Sequence, residues 1–353
     1  MGNFMGWNRF FQGMMYLVTL VFGGLLIARG KMNAGDLAMY ALYIGIFVSP
    51  IQILVELIEM MQKGFSGFRR FLDVMETEPD IVDAPDAEPL TDVKGEVSYE
   101  NVSFHYSDDE TLVLDNISFT IPAGRSIALV GPSGSGKTTI CSLLPRFYDV
   151  TEGTITLDGK DIRTISQHDL RDELGYVPQK GVLFSGTIES NILYGNPDGS
   201  EAEMKKAAEI AQATEFIEEK HKKYNSPIAQ GGSNVSGGQK QRLSIARAIA
   251  KNPKVYIFDD SFSALDYKTD VALRAALKEN TQDSTVIIVA QRISTILHAE
   301  QIIVLDDGKV AGIGTHKELL KSCESYYQIA SSQLSEAELA RDLNDETDGK
   351  EEA

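Results

Sequence analysis

The sequence predicts an α/β domain with a mixed sheet and an added antiparallel portion, preceded by two membrane-crossing helices. Three observations carry that reading. Two uncharged stretches, Phe10–Ala28 and Leu37–Val55, lie near the start of the chain. Beyond residue 95, the runs SIALVG, KVYIFDD and STVIIVA are short, nearly continuously apolar and rich in β-branched residues. Such runs suit a parallel sheet covered on both faces. A glycine-rich turn, Gly131-Pro-Ser-Gly-Ser-Gly136-Lys137-Thr138, joins the first of these runs to a helix.

Length and charge bound the possibilities. The 353 residues allow about two domains, and 43% hydrophobic content is enough for a sizeable core, which rules out disorder throughout. Lys+Arg 33 against Asp+Glu 51 leaves a formal net charge of −18, with a pI near 4.7. A charge of that sign repels phosphate backbones, so a nucleic-acid binder held by bulk charge is excluded and no nucleic-acid partner is expected. The two cysteines, Cys141 and Cys323, form neither a disulfide framework nor a zinc pattern and read as reduced thiols of a cytosolic domain.

Each uncharged stretch approaches the ~20 residues that a helix needs to cross ~30 Å of hydrocarbon. The connector RGKMNAGD suits an antiparallel helical hairpin. Pro50 would break a soluble helix but is tolerated in a membrane, where neighbouring helices re-satisfy the freed carbonyl. Lys63, Arg69 and Arg70 after the second span favour a cytoplasmic exit, while Arg29 and Lys31 in the connector pull the other way. The organisation expected is therefore a partial membrane domain over 1–75, with helices at about 10–28 and 37–60. An Asp-, Glu- and Pro-rich solvated linker follows over 76–94, then the α/β domain over 95–330 and an acidic, frayed tail over 331–353. Within the domain, GEVSYENVSFHY alternates like a half-buried antiparallel strand, and GTITLDGKDI and IIVLDDGKVAG each carry an Asp-Gly pair suited to a hairpin turn.

The glycine-rich turn fits G-x-x-x-x-G-K-[ST], with the strand SIALV before it and the helix TTICSLLPRF after it, ending near Pro145. Gly131, Ser133, Gly134, Ser135 and Gly136 let backbone amides turn onto phosphates, and the helix that begins with Lys137, Thr138 and Thr139 points its positive end at the same charge. Lys137 can reach β- and γ-phosphates, and the Thr138 hydroxyl can ligate Mg²⁺. A second motif is the strand Val255–Phe258 running into Asp259 and Asp260. Asp259 can hold magnesium through a water, and Asp260 is placed to orient or deprotonate an attacking water. A third is Asn234-Val-Ser236-Gly237-Gly238-Gln239 at the start of an evident helix, with Ser236 a plausible N-cap. One triphosphate cannot easily fill both anion-binding helix ends within one domain. Two copies facing head to tail resolve this.

With these motifs in order, the chain resembles the C-terminal part of an ABC exporter half-transporter, its last two transmembrane helices followed by a nucleotide-binding domain, over nearly everything between Phe10 and Ala330. The resemblance implies a mixed sheet with an antiparallel β-subdomain and a helical subdomain, and ATP with Mg²⁺ as ligands. It also implies that Tyr106 stacks on adenine. By the same resemblance, Gln179 is expected to touch Mg²⁺ and the attacking water and to sense the membrane domain, Ser236–Gln239 to form the signature that closes a partner's site, and Ser263–Asp266 to form the loop through which the two sites communicate.

Two positions depart from that pattern. Asp260 stands where the family has glutamate, and Gln291 stands where it has histidine. Aspartate sets the carboxylate back by more than ~1 Å, and glutamine cannot become a cation. The site is therefore expected to bind ATP well and turn it over slowly. An intact signature then points to a heterodimer of the multidrug- or lipid-exporter kind, whose partner supplies the Glu and His. Gln230 also departs, standing where many exporters carry an acid, so the resemblance does not extend to cross-talk with the partner's membrane domain. Because the family's exporter half has six membrane helices, the chain is expected to be a fragment or truncated frame of a longer half-transporter. The expected setting is a multi-pass cell-membrane protein with a cytoplasmic nucleotide domain, membrane lipids around it and a small-molecule or lipid-like export substrate. A regulatory ATP-binding subunit without hydrolysis is the alternative. A soluble ABC-type ATPase is opposed by the two apolar spans.

Overall fold

The computed structural model describes residues 2–107, 111–297, 299–335 and 338–339, and divides into two units, Met1–Asp80 and Ile81–Ala353. The first unit holds α1 (Gly2–Ala28) and α2 (Ala34–Met75). Asn33 starts α2 with a reciprocal cap. Its side chain accepts from Asp36 N at 2.8 Å, and its own N–H donates to the Asp36 carboxylate at 3.1 Å. The helices approach closely where a Cβ on Gly23 would collide with the Leu37 side chain. Pro50 does not end α2, which runs unbroken for 42 residues. Among the described residues, Phe10–Ala28 is the helix long and apolar enough to cross a membrane, at 19 residues and mean hydropathy 1.9. Ala34–Pro50 is a shorter apolar stretch, so the expected pair of crossings narrows here to one candidate span. Farther along α2, Glu59 pairs with Lys63 at 2.8 Å on an exposed face.

The second unit begins with an irregular segment that lies against its own domain. Asp83 accepts from Gln167 N at 2.9 Å, Val82 O from Arg146 at 3.3 Å, and Glu88 N donates to Thr164 O at 2.9 Å. Leu90 and Val93 pack on the core. The elements then run β1 (Val97–Phe104), β2 (Leu114–Ile121), β3 (Ser126–Val130), α3 (Lys137–Leu143), β4 (Glu152–Leu157), β5 (Lys160–Asp161), α4 (Gln167–Asp172) and β6 (Leu174–Val177). A helical stretch follows: β7 (Gly186–Thr187), α5 (Ile188–Ile192), α6 (Glu201–Ile210), α7 (Thr214–Glu218), β8 (Pro227–Ile228) and α8 (Gly237–Lys251). The last elements are β9 (Val255–Phe258), α9 (Tyr267–Asn280), β10 (Thr285–Val289), β11 (Gln301–Asp306), β12 (Lys309–Gly314), α10 (His316–Ser322) and α11 (Glu324–Ser331).

Among the described residues, three sheets form. The central one has the order β12-β11-β3-β10-β9-β6, parallel except for β12 at its edge. An antiparallel sheet has the order β2-β1-β4-β5, and β7 pairs with β8. Both Asp-Gly pairs make their hairpins, with Asp158 and Gly159 at φ +51° and +76°, and Asp307 and Gly308 at +45° and +74°. Paired positive φ values match the right-handed twist of the flanking strands.

The central sheet is apolar on both faces because each face meets a different layer. Ile127, Leu129, Val255, Ile257, Ile287, Ile303 and Leu305 point into the cluster shared with β1, β2, β4 and α3. The alternate residues Tyr256 and Phe258 point toward α8 and the helical stretch, and Ala128, Val130, Ile302 and Val304 toward α10 and α11. That period of two, buried on both sides, is why these strands read as continuous apolar runs. Tyr99 ties the antiparallel sheet to α3, its buried hydroxyl donating to Ile140 O at 2.9 Å. The tail from residue 340 onward, save what is noted above, lies outside the described residues.

A candidate nucleotide site at the ends of four parallel strands

Neighbouring strands β3, β10, β9 and β6 all point their carboxyl ends the same way, and each is followed within two residues by one picked out from the sequence. β3 leads to Gly131 and the glycine loop, β10 to Gln291, β9 to Asp259 and Asp260, and β6 to Gln179. In open α/β sheets this edge is where ligands bind.

The loop owes its shape to residues that need unusual backbone. Gly136 sits at φ +96°, and a Cβ there would lie 2.5 Å from Leu114 Cδ2 and 3.1 Å from Val113 O. Gly134 has φ +82°. Ser133 and Gly134 are exposed at the loop's crest, while Ser135 and Gly136 are buried beneath it. Lys137 folds back over this loop, its ammonium donating to Gly131 O at 2.9 Å, Pro132 O at 2.6 Å and Ser135 Oγ at 3.1 Å. Burial pushes the Lys137 pKa down, while the nearby Asp260 and Asp259 carboxylates hold it up. An ammonium kept by backbone carbonyls is ready to exchange them for phosphate oxygens. Gly136→Ala is expected to cost about 1–3 kcal/mol in a forced left-handed conformation, lowering the melting temperature by roughly 2–10 °C. A thermal melt reads this directly, and an unshifted curve would contradict the crowding described.

Thr138 Oγ1 donates to Asp259 Oδ1 at 3.0 Å, and the Tyr176 hydroxyl reaches Asp259 Oδ2 at 3.4 Å. Asp259 is 2% exposed, and burial pushes its pKa up against those two hydrogen bonds. A hydroxyl beside a carboxylate offers the hard oxygen donors that Mg²⁺ takes, the rest of its shell coming from phosphates and water. Asp260 follows at φ +48°, the left-handed region that few residues other than glycine occupy. Its Oδ2 accepts two amides at once, from Gln179 Nε2 at 2.9 Å and Gln291 Nε2 at 2.5 Å. Three strand ends thus meet on one carboxylate oxygen. Tyr106 joins this group indirectly, its hydroxyl 3.1 Å from Thr139 Oγ1 and its ring edge-to-face with Phe104 and Tyr148.

The signature residues stand apart from this cluster. Ser236 caps α8 reciprocally with Gln239, each side chain accepting from the other's backbone N–H at 3.2 Å. Ser236 and Gly237 are exposed, and nothing lies within 4 Å of where a Gly237 Cβ would be. Gly238 lies against the Ala264 carbonyl, which makes the tip a neighbour of the Ser263–Asp266 loop. Asp266 caps α9, and the Thr269 N–H at 3.0 Å and its hydroxyl at 2.7 Å hold its carboxyl below the usual range. Among the described residues, no hydrogen bond joins this tip to Lys137, Thr138, Asp259 or Asp260.

Two contributors were not legible in the chain. Tyr176 reads as a strand aromatic, yet its hydroxyl touches Asp259. Gln241, 1% exposed, accepts from Gly181 N at 2.8 Å and donates to Pro178 O at 3.0 Å, so α8 holds the loop bearing Gln179. A buried glutamine in a polar helical run such as QKQR looks no different in sequence from an exposed one.

Residues 114–263, spanning the loop, the signature and both aspartates, match the ABC transporter family model. The second unit is an ABC transporter ATP-binding domain. Its mixed α/β sheet has the fold of that ABC domain, and 93% of the chain superposes on a bacterial Atm1-family ABC exporter solved with ATP bound. That match has a TM-score of 0.75 and 34% identity, and covers 57% of the exporter chain. An ABC transporter ATP-binding protein of Bacillus subtilis, YwjA, is 39% identical over 318 residues, 90% of this chain and 55% of its own. The ATP-dependent lipid A-core flippase of Syntrophus aciditrophicus is 36% identical over 334 residues, 95% of this chain and 55% of its own. The chain therefore spans a little over half the length of the relatives it matches.

Proposed function

We propose that this chain is the ATP-binding part of an ABC exporter subunit, multi-pass in the cell membrane, with the nucleotide domain on the cytoplasmic side. The observation that supports it is the convergence of Lys137, Thr138, Asp259, Asp260, Gln179 and Gln291 at adjacent strand ends, with the Ser236 tip exposed elsewhere. In this reading, backbone amides of 131–136 and the Lys137 ammonium bind the phosphates. Thr138 and Asp259, with Gln179, would hold Mg²⁺, which would supply positive charge to offset that of the phosphates. Tyr106 lies along the base. Asp260 orients the attacking water, and Gln291 donates to the γ-phosphate. Ser236–Gln239 close the site of a second half-transporter, whose nucleotide completes the dimer head to tail, and closure and reopening drive export. The lipid flippase relative favours a lipid-like or small-molecule substrate.

Its own site is slow in this reading. Asp260 is a methylene short of glutamate, and its Oδ2 already accepts the amides of Gln179 and Gln291. A partner that supplies Glu and His makes the complementary site competent. We expect negligible turnover from the purified chain alone and brisk turnover on pairing. That paired activity should be lost with Ser236→Ala or Gly238→Val in this chain and change less than about twofold with Asp260→Asn. A paired enzyme that tolerates both signature variants would overturn the head-to-tail arrangement. A regulatory subunit that binds ATP without hydrolysis is the second reading, favoured by the same short Asp260 carboxylate. Single-turnover assays separate the two, because only the first releases phosphate from this chain's own site.

A further inference from the structure

The segment after α11 returns to the nucleotide edge of the sheet. Gln333 Nε2 donates to the backbone carbonyl of Gln291 at 2.8 Å, and its Oε1 accepts from Ile293 N at 2.8 Å. One carboxamide therefore spans the peptide units on either side of Arg292. The segment is itself anchored. Leu334 N donates to Ala330 O at 2.8 Å, and Leu334 and Leu339 pack with Ile293, Ile296, Tyr326 and Ala330. On the other side of the bend, Ala290 N donates to Leu129 O at 3.2 Å, continuing the β3 ladder. The loop is thus held at Ala290 by the sheet and at Ile293 by the buried layer, with Gln291 and Arg292 exposed between them. Across that exposed stretch, the hydrogen bonds of Gln333 fix where the Gln291 side chain starts, and that side chain ends on Asp260 Oδ2.

We propose that Gln333 is a positioning residue for the Gln291 amide, so that the segment beyond α11 is part of the γ-phosphate-sensing apparatus rather than a dispensable tail. The proposal rests on the nucleotide reading above. Freed from the staple, Gln291 and Arg292 regain backbone freedom, and an amide displaced by about 1 Å no longer meets a γ-phosphate oxygen squarely. The effect falls on what distinguishes ATP from ADP, since in the nucleotide reading Gln291 meets the last phosphate only.

The test uses the full chain with Gln333→Met, which keeps length and flexibility while removing the staple's donor and acceptor, and Gln333→Ala. Two measurements are made: amide hydrogen exchange over 289–297, and dissociation constants for ADP and for a non-hydrolysable ATP analogue with Mg²⁺. Exchange at the Ile293 amide should rise at least about fivefold in Gln333→Met while β3 and α8 stay as they were. Preference for the ATP analogue over ADP should fall by about fivefold, with ADP affinity unchanged within about twofold. Placed on Gln291→Ala, the same change should cost less than about twofold further preference, because the group it positions is gone. Equal weakening of ADP and the analogue, or a full additional loss on the Gln291→Ala background, would mark Gln333 as merely structural and overturn the proposal. So would unchanged exchange over 289–297 in a chain that binds the analogue. An unmodified chain that binds neither nucleotide would instead overturn the nucleotide reading itself.

Discussion

Lys137→Met should weaken MgATP binding by about 100-fold. The ammonium is half-buried, donates to three oxygens of its own loop, and sits close enough to Asp259 and Asp260 for both to affect its titration. Truncating one partner of a buried, hydrogen-bonded charge pair costs about 2–5 kcal/mol, and ~2.7 kcal/mol corresponds to a factor of about 100. Methionine keeps the bulk of the side chain, so the loop keeps its packing and loses the charge with its three hydrogen bonds. The fold should survive, because the buried core that holds Ile127, Leu129, Ile140 and Leu143 keeps all its apolar side chains. Titration with a fluorescent ATP analogue, beside a thermal melt, separates lost affinity from lost structure. An affinity within about threefold of the parent chain, with an unchanged melt, would remove the basis for placing phosphate in this loop.

The second large effect runs the other way. Asp260→Glu combined with Gln291→His should raise ATP turnover of the chain by about 100-fold. As the site stands, the Asp260 carboxylate is short and carries two amide donors on one oxygen, and Gln291 is spent on that carboxylate at 2.5 Å. A glutamate reaches about 1 Å farther toward an attacking water, and an imidazolium at 291 offsets negative charge as it develops. The backbone at 260 is already left-handed, at φ +48°, so glutamate costs a little folding stability there and a melt should fall slightly. Either substitution alone should recover less than the pair, because Asp260 and Gln291 touch and their effects are coupled. Phosphate release at saturating MgATP measures the gain. No increase from the double variant would overturn the proposal that these two residues make the site slow.

Much of this molecule could be read residue by residue, and the readable parts share a feature. The Gly131–Thr138 loop, the Ser236 cap and the two Asp-Gly hairpins each depend on consecutive residues whose backbone preferences act within a single turn. Local sterics and capping chemistry decide them, so a sequence carries them openly. The strand at 97–104 shows where that stops. Its alternation is real at Val97 and Tyr99 but is broken by a register shift between Tyr99 and Val102, with Asn101 at φ +49°. The segment at 81–94 reads as solvated because it is acidic and proline-rich. Yet its backbone carbonyls and Asp83 find donors on Arg146 and Gln167, and composition says nothing of backbone partners.

The sequence by itself determined that a glycine-rich turn begins a helix at Lys137, that a glycine tip begins another after Ser236, and that buried strands precede the first and follow the second. The tertiary structure decided which of these ends meet. The strand order β12-β11-β3-β10-β9-β6 brings Lys137, Gln179, Asp259, Asp260 and Gln291 to one edge, though they are spread across more than 150 residues. That order follows from burying both faces of one sheet against three different layers, a long-range packing requirement that no single stretch of chain contains.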